Sequence, residues 1–127
     1  MLKLKFIACL LVLLTFINCE EDCGNSCPAP SSSELKLKLT INEENPQVEV
    51  VIFRGRIESQ DIVLTETVSD NVVWYELDPD GYYSVTASYQ QGNKKIIVIN
   101  GKGFSLTDDD CGCGRAQNYS LNMKLKN

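Results

Sequence analysis

Residues 34–41 read ELKLKLTI, and the alternation inside them decides the fold class. Leu35, Leu37, Leu39 and Ile41 take every second place, with Lys36, Lys38 and Thr40 between them. A period of two builds a strand with one apolar face, whereas a helix needs a period of 3.6. The same texture continues outward from this stretch. Residues 47–54 (QVEVVIFR) form a strand that becomes apolar on both faces, and residues 61–68 (DIVLTETV) a mostly one-faced strand. Within residues 71–77, Val73, Tyr75 and Leu77 share one face and Trp74 takes the other. Residues 82–90 place Tyr83, Val85, Ala87 and Tyr89 together, and residues 118–126 do the same with Tyr119, Leu121, Met123 and Leu125. Residues 95–99 (KIIVI) are expected to meet residues 104–106 across a hairpin turn at Asn100-Gly101-Lys102-Gly103. No stretch has a helical period. The expectation is an all-β, seven- to eight-stranded antiparallel sandwich spanning residues 34–127.

The connection at residues 77–87 (LDPDGYYSVTA) sharpens that expectation. Pro79 fixes φ, Gly81 permits a positive φ, and the Tyr83 hydroxyl can bond back to the corner's backbone. Leu77, Pro79, Tyr83 and Val85 resemble the corner of fibronectin type III domains, while Asp78, Asp80, Gly81 and Tyr83 resemble the turn of bacterial transthyretin-like and carboxypeptidase-regulatory-like modules. These likenesses cover about eleven residues and imply an immunoglobulin-like sandwich, without implying an activity.

The chain of 127 residues carries a formal charge of -5 and contains no histidine. Without residues 1–18, which contribute Lys3 and Lys5, the balance falls to -7. An acidic surface with no basic stripe excludes nucleic acid as a partner. The lack of histidine removes the commonest general base and the commonest metal ligand. A nucleophile built from Ser or Thr with Lys94 or Lys95 has no supporting spacing, so neither an enzyme nor a cofactor is expected.

Residues 1–18 begin with Lys3 and Lys5 and continue as FIACLLVLLTFI over residues 6–17. A largely apolar run of twelve residues is too short to cross a ~30 Å hydrocarbon core as a helix, and a positive start before such a run marks a secretory signal. Cys19 stands where the run ends, and in this respect the segment resembles bacterial lipoprotein precursors. Ile17 suits the pattern before the lipidated cysteine, while Phe16 and Asn18 depart from its usual Leu and small residue. Cys9 has only three residues of the run before it and does not fit. The resemblance implies cleavage before Cys19 and membrane attachment through acyl chains on its sulfur and amine. Glu20, Glu21 and Asp22 resemble the export tag of Bacteroidota surface lipoproteins, which implies the outer membrane and its cell-surface side, with the periplasmic side as the alternative. Residues 19–33 then read as an acidic, Pro- and Ser-rich tether.

Four cysteines remain: Cys23, Cys27, Cys111 and Cys113. In an exported chain these are first of all disulfide candidates, with three possible connectivities. Joining Cys111 directly to Cys113 closes a strained ring, which favours cross-pairing of the tether to the 108–115 loop. Strand parity argues otherwise, since eight alternating strands place that loop at the end opposite the tether. The alternative is a metal site made by all four cysteines, or by Cys111 and Cys113 with Asp108 and Asp110. Asp108, Asp109 and Asp110, or Asp78 and Asp80, also have the chemistry for Ca²⁺, although such runs are more often solvated loops and turns. Trp74 and Tyr82 point away from the Tyr75 and Tyr83 faces. They are candidates for a patch that engages protein or glycan, but a sandwich's need for large core residues favours burying Trp74.

Overall fold

The computed structural model describes residues 23, 24 and 26–127. The expected signal segment, Cys19, Glu20, Glu21 and Asp22 lie outside the described residues. Among the described residues nine strands follow in order: β1 (Ser33–Lys38), β2 (Val48–Arg54), β3 (Ile62–Val68), β4 (Val72–Leu77), β5 (Gly81–Gln91), β6 (Lys94–Phe104), β7 (Thr107–Asp108), β8 (Gly114–Arg115) and β9 (Tyr119–Asn122). One 3-10 turn, Ile57–Ser59, interrupts the connection from β2 to β3. Seven of the strands make two sheets, ordered β4-β1-β9 and β3-β2-β5-β6, and β7 with β8 forms a separate small ribbon.

The two sheets face each other over one core. Leu35, Leu37 and Leu39 come from the β1 segment, Leu121 and Met123 from the β9 segment. Val48, Val50 and Ile52 of β2 meet them from the second sheet, with Val85, Ala87 and Tyr89 of β5. The period-two residues quoted first are therefore the buried ones, because alternation presents one side of each strand to the opposite layer. At one end the core closes with aromatic rings. Phe104 stacks on Tyr119 at 4.2 Å between centroids and meets Tyr83 at 4.8 Å. At the other end the Tyr89 hydroxyl donates to the Met123 carbonyl at 2.6 Å and accepts from the Thr40 N–H at 3.1 Å. Burial raises the Tyr89 pKa.

Two expectations about topology need correction. Residues 100–103 are not a turn: they lie inside β6, which pairs with β5 over its whole length from Gly81↔Phe104 to Gln91↔Lys94. The hairpin turn is Gly92-Asn93 instead, with Gly92 at φ 59°. Gly101 and Gly103 have another use. Tyr82 lies across this part of β6, and a Cβ at Gly101 would collide with its hydroxyl. With one reversal fewer, the parity argument also inverts. β9 runs parallel to β1, with Leu35 opposite Tyr119, so the segment before β1 and the 105–118 loop before β9 share one end. This parallel pair also makes the first sheet mixed rather than purely antiparallel.

The corner behaves as its residues imply. It carries the chain from β4 in the first sheet to β5 in the second, with Gly81 at φ 102°. The Tyr83 hydroxyl faces the Asp78 carbonyl at 3.5 Å, a long hydrogen bond.

Candidate functional site

The most organised polar region lies at the end shared by the tether and the 105–118 loop. Cys23 is bonded to Cys111 and Cys27 to Cys113, so the favoured cross-pairing is the one adopted. Between the paired cysteines, Asp109 holds the loop. Its Oδ1 accepts the N–H groups of Cys111 at 2.9 Å and Cys113 at 2.8 Å. Its own N–H donates to the Cys113 carbonyl at 2.8 Å, and its carbonyl accepts from Gly112 at 3.0 Å. An aspartate bonding to N–H groups two and four residues ahead forms a tight local turn. Gly112, at φ 71°, supplies the left-handed residue that the turn requires. Pro28, Ala29, Pro30 and Ser31 line a shallow cleft of about 270 Å³ with Asp109 and residues 113–116.

This geometry removes the four-cysteine metal alternative, because every one of those sulfurs is already bonded to another sulfur. The version with Asp108 and Asp110 loses Cys111 and Cys113 for the same reason, and the aspartate aimed inward is Asp109. Among the described residues no group of three or more Cys, Asp or Glu is arranged to hold a metal ion. At the corner, Asp78 meets a cation that belongs to the chain: Arg54 Nη2 lies 2.8 Å from Asp78 Oδ2. That bond raises the Arg54 pKa, and the guanidinium carbon sits 5.9 Å from the Tyr83 ring centre. Burial pushes the Tyr83 hydroxyl pKa up, with Arg54 opposing it.

Trp74 is not a core residue. It is 52% exposed on the outer side of β4, because Val73, Tyr75 and Leu77 already occupy the inner side of that strand. The Lys36 ammonium lies 4.9 Å from its ring centre, a distance suited to cation–π attraction. Tyr82 is 48% exposed, but on the second sheet. The two aromatics therefore sit on outward faces of different layers and do not make one patch.

A cleft of about 500 Å³ runs beside Trp74 between the edges of β3 and β4, lined by Glu66, Thr67, Ser69, Asp70 and Tyr75 among others. Across it the Tyr75 hydroxyl donates to Glu66 Oε2 at 2.7 Å. Desolvation and that carboxylate together drive the Tyr75 pKa well above its ordinary value. At the far end, Asn45 is buried and its side-chain amide imitates a strand neighbour. Its Nδ2 donates to the Gln90 carbonyl at 2.9 Å, and its Oδ1 accepts the Gln90 N–H at 2.7 Å.

Comparison with family models, curated proteins and solved structures gave no match.

Sequence reasoning raised Asp109 only as one of three calcium candidates, not as the residue that holds the loop, and did not single out Arg54 or Asn45. For Asp109 the signal was present in the spacing Asp-x-Cys-x-Cys, which suits a side chain reaching forward to two N–H groups. Arg54 and Asn45 act on partners 24 and 45 residues away, and no local pattern marks such pairs.

Proposed function

We propose that this chain is a lipid-anchored lipoprotein of the bacterial cell envelope, tri-acylated on Cys19 after residues 1–18 are removed. It carries an immunoglobulin-like sandwich as a non-catalytic binding module for a protein or glycan, on the outer membrane and facing outward. The observation that supports this best is the cross-paired clamp of Cys23–Cys111 and Cys27–Cys113. Disulfides persist in oxidising compartments outside the cytosol, and the segment ahead of them has the form of an export signal.

The clamp also bears on what such an anchor holds. Cys23 follows Cys19 by four residues, a reach of about 14 Å when fully extended. On this reading the free part of the 19–33 tether is the stretch before Cys23, and the end of the sandwich bearing the 105–118 loop is the end next to the bilayer. Glu20, Glu21 and Asp22 occupy the gap, where an anionic lipid surface repels them. Two or more acyl chains, at ~0.8 kcal/mol for each buried methylene, hold the protein durably.

Intact mass of the membrane-extracted protein tests the anchor. The wild type is expected to lack residues 1–18 and to carry the mass of the acyl groups, while Cys19→Ala lacks that mass. A wild type without acyl mass overturns the proposal.

A further inference from the structure

The outward face of the second sheet gathers most of the exposed apolar surface. Of the eight exposed large hydrophobic residues among the described residues, Ile62, Val63, Tyr82, Ile97 and Ile99 lie on its strands β3, β5 and β6. The register brings them side by side. In one row Val51 lies between Thr65 and Thr86, and Thr86 is beside Ile99. In the next, Phe53 lies between Ile62 and Ser84, and Ser84 is beside Gly101, where the Tyr82 ring rests. Neither row contains a charge; in the third row, which ends on Ile97, Glu49 lies between Thr67 and Ser88. The outward side of the first sheet is different, since Glu34, Lys36, Lys38 and Glu76 surround Trp74 there. Contiguous apolar surface of this kind marks a contact site.

We infer that this face docks a second copy of this chain, sheet against sheet. Three observations select that occupant. Residues 19–127 carry a balance of -7, so two copies repel through most of their surfaces and can approach closely through a face whose two charges, Glu49 and Lys95, cancel. Next, and resting on the lipid anchor proposed above, copies held by their clamp ends share one plane and turn the sides of their sheets toward one another. A dyad running along the strands keeps both clamp ends on the same side, as one membrane requires. Antiparallel pairing of two β6 edges would instead send the clamp ends in opposite directions.

Size is the third. Four strands ~4.8 Å apart, over about seven residues of ~3.3 Å, give a face of roughly 450 Å². That is about half of the ~800 Å² per partner in a standard interface. The association is therefore weak in dilute solution and becomes substantial when anchoring raises the effective concentration.

The test uses the lipidated protein in phosphatidylcholine vesicles, with a short amine cross-linker that reaches Lys95, two residues before Ile97 on the same side of β6. The wild type is expected to give a cross-linked dimer. The double variant Ile97→Glu/Ile99→Glu is expected to lower its yield at least tenfold, and the uncharged Ile97→Thr/Ile99→Thr about threefold. Val72→Glu, an exposed apolar position on the first sheet, leaves the yield unchanged. A wild type that stays monomeric on vesicles, or a dimer unaffected by both double variants, overturns the inference.

Sedimentation of soluble Cys19→Ala at high concentration separates this outcome from failure of the anchor. Dimers there that are lost in Ile97→Thr/Ile99→Thr support the face even if the wild type carries no lipid. An acylated protein that never dimerises rejects the face and leaves the anchor standing.

Discussion

The clamp end and the layered core lie side by side and are held by opposite means. In the core, Leu35, Leu37, Val50, Ile52, Val85 and Ala87 have no exposed surface, and burial of apolar area holds them. In the clamp, residues 26–32 are exposed, β7 and β8 have two residues each, and Cys113 is the buried hydrophobic residue of the 105–118 loop. A segment that buries so little does not offset its own ordering entropy. Covalent bonds supply the difference here, and Asp109 sets their geometry. The lesson is that one small domain can use burial where its strands alternate and cross-links where its composition cannot form a core.

Removing the cross-links tests this contrast most strongly. In the chain-entropy model, one bond between the two cysteine pairs closes a loop of about 88 residues and contributes about 4–5 kcal/mol. Once it exists, the second closes a ring of only about eight residues, for about 2–3 kcal/mol. Replacing either pair by Ser is therefore expected to cost about 2–3 kcal/mol, and replacing both about 7 kcal/mol, more than the sum of the singles. Equilibrium denaturation of the three variants measures this, and simple additivity would show that the two bonds do not share one closure. The doubly substituted protein should also unfold with a steeper denaturant dependence, because its unfolded chain is more expanded.

A core truncation acts by another route. Leu37 lies in the central strand of the first sheet and is fully buried, so Leu37→Ala leaves a cavity between the layers. The expected cost is about 2–5 kcal/mol, with the slope of the denaturation curve unchanged. A changed slope would mean that the cross-linked unfolded chain retains structure around β1, and the division between burial and cross-linking would then be too sharp.

How much of this was legible in the sequence follows the same division. ELKLKLTI named three of the most deeply buried residues, because alternation is a local signal. LDPDGYYSVTA marked the step between sheets, because Pro79, Gly81 and Tyr83 act within a few residues of one another. Asn100-Gly101-Lys102-Gly103 misled, since glycine there makes room for the Tyr82 ring rather than for a positive φ. That single misreading added a reversal and placed the 105–118 loop at the wrong end. The two charge-free rows were not legible either. Ile97 and Ile99 read as ordinary strand residues until the register placed Val51, Phe53, Thr86 and Tyr82 around them.

The smallest expected effect concerns the bond that closes the open edge between the layers. Tyr75 of β4 donates to Glu66 of β3, and the two strands belong to different sheets. Its pKa is raised first by desolvation and then by that carboxylate. The folded protein thus holds this proton more tightly than the unfolded chain, where the value is about 10. The associated stability is complete below about pH 10 and falls as pH rises above it. Tyr83 and Tyr89, whose pKa values are also raised, act in the same direction. Tyr75→Phe is expected to cost about 1 kcal/mol at neutral pH and to reduce the loss of stability between about pH 10 and 11.5. Thermal melts across that range, compared with the wild type, provide the check. An equally steep alkaline loss in the variant would show that Tyr75 ionises without opposing the fold. A neutral-pH cost approaching that of a lost disulfide would mean that the edge between the sheets depends on a polar link as much as the clamp depends on its covalent ones.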